Sequence, residues 1–161
     1  MNTQPASTTL TDALRTALSG ITVANGYRLD LASTIHVGMR QINELEAPCL
    51  VLTPGNEAPG EQAGQNGHVE IQYSVSGYLN RTDETVSYYT ADPDAEFALI
   101  DAIIADVRDA IEGGVCALTD EALAVAYQGA RRMFHEAGGE LCGAELRYLI
   151  TTPWIDYLPG Q

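Results

Sequence analysis

Any chemistry in this chain would have to come from three histidines, His36, His68 and His135, three cysteines, Cys49, Cys116 and Cys142, and a large stock of carboxylates. A metal centre needs ligands that share a helix face or a short loop, as in HExxH or paired CxxC spacings. Neither the histidines nor the cysteines stand at such intervals. Nucleophilic catalysis needs an activated side chain, yet there is no GxSxG elbow, and Cys49 sits inside the apolar run PCLVLT, where burial disfavours the thiolate. A Walker-type GxxxxGK is excluded because the chain has no lysine, and no GxGxxG joins a strand to a helix. Carboxylate pairs such as Asp92/Asp94 are accounted for by a helix start. The expectation is no catalytic residue, no cofactor and no metal, with the histidines ordinary strand or loop residues and the cysteines small buried hydrophobes. An odd number of thiols suits a reducing compartment.

The stretch that must organise the rest is Asp92 to Gly114. Asp92 is placed to cap a helix, Pro93 suits its first position, and Asp94 and Glu96 complement the positive end of the macrodipole. Phe97, Ile100, Ile103, Ile104, Val107 and Ile111 recur at three- and four-residue steps and predict one buried stripe. Asp101, Asp106, Asp109 and Glu112 fall outside it, and Gly113-Gly114 supplies a left-handed stop.

Elements on either side follow from periodicity. Residues 1–8 are polar and expected to be disordered, after which Leu10, Leu14, Leu18 and Ile21 mark an amphipathic helix with Thr9 as its cap and Asp12 completing a capping-box-like pair. Asn25-Gly26-Tyr27 predicts a turn, Ile35–Met39 a short strand, and Pro48–Thr53 a strand buried on both faces. Pro54–Gly67 predicts an exposed loop, which suits a contact with something else. Val69, Ile71, Tyr73 and Val75 alternate with polar residues as a half-buried strand, and Gly77 is positioned for a bulge. Ala122–Glu136 and Glu140–Thr151 predict a long hairpin, with either Arg131 or Arg132 opposite Glu145; a short helix from Thr119 to Ala126 is the alternative at its start. Residues 153–161 form a C-terminal arm carrying Trp154 and Tyr157, so that 9–152 is a single α+β domain.

The charge is unusual: 22 acidic residues face eight basic ones, all arginine, for a formal charge of −14. Such a surface repels phosphate backbones, which argues against nucleic-acid binding by phosphate neutralisation and suits a surface past which DNA slides; plain solubility is the bland alternative. There is no apolar run of membrane-spanning length, and Met1–Ser7 lacks the features of a secretory signal, so a soluble intracellular protein is expected.

The order of these elements, with the strand APCLVLTP, a polar loop, the strand HVEIQYSVSGYL, the helix EFALIDAIIADVRDAI and the strand ELRYLIT, resembles the tail terminator (tail-completion) proteins of long-tailed bacteriophages over Leu10 to Thr151. The resemblance implies an α+β fold, a mostly antiparallel sheet of about four to five strands with two helices packed on one face. It implies a non-catalytic virion protein of the neck, assembled in the host cytoplasm, whose copies form a ring, usually a hexamer. Such a ring sits on the tail tube protein, stops tube polymerisation and offers a surface to the head–tail connector protein, while DNA passes through the lumen without sequence-specific binding. On that reading Glu57 and Glu61 face the lumen or the tube, and Trp154 and Tyr157 contact a neighbouring subunit. The long hairpin and the aromatic arm depart from the family pattern. A reading from another class is an acidic accessory protein that binds a basic partner by mimicking the charge of DNA, and a small enzyme with an unrecognised site is a third.

Overall fold

The computed structural model describes residues 6–38, 45–59, 68–80, 95–113, 124–135 and 141–153. Helix α1 (Ala6–Leu18) is followed by a 3-10 turn (Val23–Asn25) and strands β1 (Ile35–Val37), β2 (Cys49–Pro59) and β3 (His68–Asn80). Helix α2 (Glu96–Glu112) then precedes β4 (Ala124–Met133) and β5 (Leu141–Pro153). The five strands form one sheet in the order β1-β2-β3-β5-β4. β1 runs parallel to β2, and every other neighbouring pair is antiparallel. The expected α+β class, mostly antiparallel with two helices on one face, is therefore what the chain adopts.

Period-two burial explains which face the helices cover. Val69, Ile71, Tyr73 and Val75 of β3, with Cys142, Ala144, Leu146, Tyr148 and Ile150 of β5, point to one side and join one core with Leu10, Leu14 and Leu18 of α1 and Ile100, Ile103, Val107 and Ile111 of α2. The opposite face carries Gln72, Ser74, Glu145 and Arg147, with a small second cluster of Leu45, Cys49 and Val51 beside Tyr78. Fully burying the four apolar residues of α2 contributes about 6 to 12 kcal/mol, an upper estimate.

Several expectations are corrected. α1 begins at Ala6, so Ala6–Thr8 are helical and Thr9 lies inside the helix rather than capping it. The first turn is tied down by the Thr11 hydroxyl, which donates to the Ser7 carbonyl at 2.7 Å, and by the Tyr73 hydroxyl, which donates to the same oxygen at 3.3 Å. β2 continues through Pro54–Pro59, where a loop is expected, because it stays paired with β3 as far as Pro59 opposite Val69, with an irregularity between Pro54 and Glu57. Glu57 consequently stands on a strand. β1 reaches only Leu50–Leu52, so among the described residues the prolines sit on the sheet's border, where a missing donor is tolerated.

Gly77 makes no bulge: the register runs through it without a break on both sides. Its role is close approach, since a Cβ there would lie 2.6 Å from Cγ2 of Ile103 on α2. On α2, Phe97 is half exposed and Asp106 is buried, the reverse of the expectation. Gly113 closes the helix with φ −74, not in the left-handed region, while its N–H donates to the Asp109 carbonyl. Asp92, Pro93, Asp94 and Gly114 lie outside the described residues. The hairpin forms with Arg131 opposite Glu145, one of the two expected registers, and Ala124–Ala126 belong to β4 rather than to a short helix.

Candidate contact corner at the start of α2

Of the expected site residues, Glu57 is exposed on the β2 border, and Glu61, Trp154 and Tyr157 lie outside the described residues. Cys49 and Cys142 are buried, as expected; burial pushes the Cys49 thiol up to about 11. Cys116 lies outside the described residues. Among the described residues no group of His, Cys, Asp or Glu is arranged to hold a metal ion.

The structure instead brings together residues that sequence periodicity does not connect. Glu96, at the first position of α2, is 1% exposed. Its carboxylate accepts the backbone N–H of His135 at 2.8 Å and lies 2.5 Å from the His135 ring nitrogen Nδ1. This bond joins the helix start to the end of β4. Next to Glu96 and His135 in sequence stand Phe97 and Phe134, the chain's only two phenylalanines, 49% and 51% exposed. Arg132 reaches between the elements: its guanidinium lies 5.1 Å from the Phe97 ring centroid and 2.9 Å from Asp101. Exposed aromatic rings beside arginine are the composition that interface cores favour, and a rigid mount reduces the ordering cost of binding.

Arginines gather along the same edge. On the helix side the Arg108 guanidinium stacks 4.0 Å from the Tyr127 ring and pairs with Glu112, which also accepts the Tyr148 hydroxyl at 3.0 Å. Burial, with the Glu112 charge adding to it, raises the Tyr148 phenol well above its ordinary range. On the open side Arg131 and Arg147, both about two-thirds exposed, share the single carboxylate of Glu145 at 3.6 and 3.2 Å. Half of the chain's eight arginines thus border β4.

The far part of α2 holds a second buried carboxylate. Asp106 accepts the backbone N–H groups of Arg28 at 3.1 Å and Leu29 at 2.9 Å, and the Arg28 guanidinium at 3.0 Å. Arg28 also bonds Asp109, and these two hydrogen bonds, Asp109 first, raise its pKa further. The segment between α1 and β1 has no ladder of its own here, so Asp106 satisfies its donors from the side.

Phe97 carries a misleading signal in the sequence, since it stands three residues before Ile100. Glu96 stands four residues before it, and the true stripe runs through Glu96, Ile100, Ile103, Val107 and Ile111. The proximity of His135 and Phe134 to the helix start depends on sheet order, which periodicity does not encode.

Compared with known proteins, the chain matches no protein-family model and no curated protein sequence.

Proposed function

We propose that the protein is a structural assembly protein of the tail-terminator type. Its copies form a ring, hexameric by resemblance, that caps a phage tail tube, stops its polymerisation and presents a joining surface to the head–tail connector, with DNA passing through the lumen. The protein acts without catalysis, in the virion neck, after assembly in the host cytoplasm. The observation that carries this reading is the corner formed by Glu96, Phe97, Arg132, Phe134 and His135, where two half-exposed aromatic rings and an arginine stand on a chain of charge −14. A protein that only needed solubility would gain nothing by exposing both of its phenylalanines on a rigid mount. The fold, α+β and mostly antiparallel with two helices, is of the class that the resemblance implies and is compatible with the same reading.

Negative-stain electron microscopy of the purified chain tests it. Annular particles with a hole wide enough for a DNA duplex are expected, and a field of compact monomer-sized particles at all concentrations sinks the reading.

A further inference from the structure

On the sheet face that the helices leave open, residues of four strands stand in rows. Strand pairing sets Thr53 of β2 beside Ser74 of β3, Ser74 beside Arg147 of β5, and Arg147 beside Gly129 of β4. The next row carries Ser76, Glu145 and Arg131 in the same strand order. Thr53, Ser74 and Arg147, with Gln72, Gln128 and Glu145, line an open trough of about 270 Å³. All six of these side chains are polar.

We infer that this trough binds a carboxylate, with Arg147 as its anchor and the Ser74 and Thr53 hydroxyls as further donors. Two guanidinium groups, Arg131 and Arg147, share the one carboxylate of Glu145, so the cluster keeps a positive charge in excess. Glu145 takes Arg147 through Nε at 3.2 Å, and among the described residues Nη1 and Nη2 have no bonded partner. That outer edge of a guanidinium matches a carboxylate through two parallel hydrogen bonds. The row is also open at its β4 end, since even a Cβ at Gly129 would meet nothing within 4 Å. An ammonium ligand is disfavoured, because the trough's only carboxylate is already engaged twice. Glu70 is on the same face but not in the lining. The volume is small beside the roughly 300 to 1,000 Å³ of drug-sized pockets, which suits one acidic group on a few carbons. Such a group is either a free small acid or the side chain of an acidic residue in a protein. The site does not depend on the ring reading: it lies across the sheet from the Phe97 and Phe134 corner, whose Arg132 is paired with Ala144 of the core face.

Ligand-observed NMR at fixed ionic strength tests it, with succinate as the free acid and N-acetylglutamic acid α-amide as the side chain. Saturable binding to the wild-type chain is expected, with a Kd on the order of 1 to 10 mM. Arg147→Gln should weaken it about tenfold or more, and Arg147→Lys, which keeps the charge and loses the fork, by a smaller factor. Arg147 is two-thirds exposed, and circular dichroism verifies that both variants fold. Arg15→Gln makes the same change of net charge on an exposed residue of α1 and should leave binding as in wild type. Tighter binding of succinate identifies a free acid as the ligand, and tighter binding of the capped glutamate identifies a protein side chain. Failure of both probes to saturate below about 100 mM would overturn the site. So would equal binding by Arg147→Gln and wild type, or an Arg15→Gln loss as large as that of Arg147→Gln.

Discussion

The first position and the far half of α2 each bury a carboxylate, Glu96 and Asp106, with different partners. Asp106 is fully covered by its own chain, and everything it bonds, Arg28 and Leu29, serves to hold the α1–β1 segment in place. Glu96 is as deeply buried and bonds His135 as closely, but the surface built above it leaves two aromatic rings half open to solvent. One clamp completes the core, and the other lies beside half-exposed aromatic rings that we propose form a contact surface. Burial alone does not separate a structural group from one that serves recognition; what the clamp holds, and whether that is covered, does.

The largest effect should come from breaking the covered clamp. Asp106→Ala leaves two backbone donors and a guanidinium without their partner, and a loss of about 3 to 5 kcal/mol in denaturant unfolding is expected. A loss below about 1 kcal/mol would mean that water replaces the carboxylate and that this end is not the anchor described.

Breaking the other clamp should cost less and show itself twice. Glu96→Ala is expected to lose about 2 to 3 kcal/mol and also to weaken self-association, because Phe97 and Phe134 lose their fixed spacing. If stability falls while association is untouched, the corner is only a piece of the fold. Glu96→Gln keeps an acceptor for the His135 N–H and should fall between the two.

A smaller effect, away from both ends, lies on the open face at Cys49. Its thiol is raised to about 11 by burial, so the stability that the neutral thiol contributes is fully present below the ordinary thiol value and is lost as pH rises through about 11. Tyr73, Tyr78 and Tyr148 shift in the same direction, so the informative comparison is Cys49→Ala against wild type. The variant should lose less stability on going from neutral to alkaline pH, and parallel pH profiles would show that the thiol is not the titrating group.

Much of the architecture was legible because it rests on local periods. The alternation of β3, the arms of the hairpin with one of Arg131 and Arg132 opposite Glu145, and the apolar steps of α2 are each visible over short stretches of sequence, while the choice of register needed the structure. Reading failed where a distant partner decides the outcome. Asp106 looks like a solvated residue until Arg28 and Leu29, 78 and 77 positions away, are brought to it. Pro54–Pro59 reads as loop by composition, but pairing with β3 and a place on the border let prolines sit in a strand. Gly77 reads as a bulge and is instead a clearance for Ile103. The contact corner was the least legible part, since it joins a helix start to a strand end through the sheet order β3-β5-β4. Glu57 was singled out in the sequence as a lumen or tube contact on an exposed loop; it is exposed, but it stands on a strand border and not in a loop.

The central claim is that the corner exists for assembly, and the most direct measurement is particle mass by light scattering coupled to size exclusion, for wild type and for Phe97→Ser/Phe134→Ser. Both side chains are half exposed, so the substitutions should change stability by only about 0.5 kcal/mol each. The account predicts a ring-sized wild-type particle and a folded, monomeric variant. A monomeric wild type, or a variant that assembles as well as wild type, would contradict it.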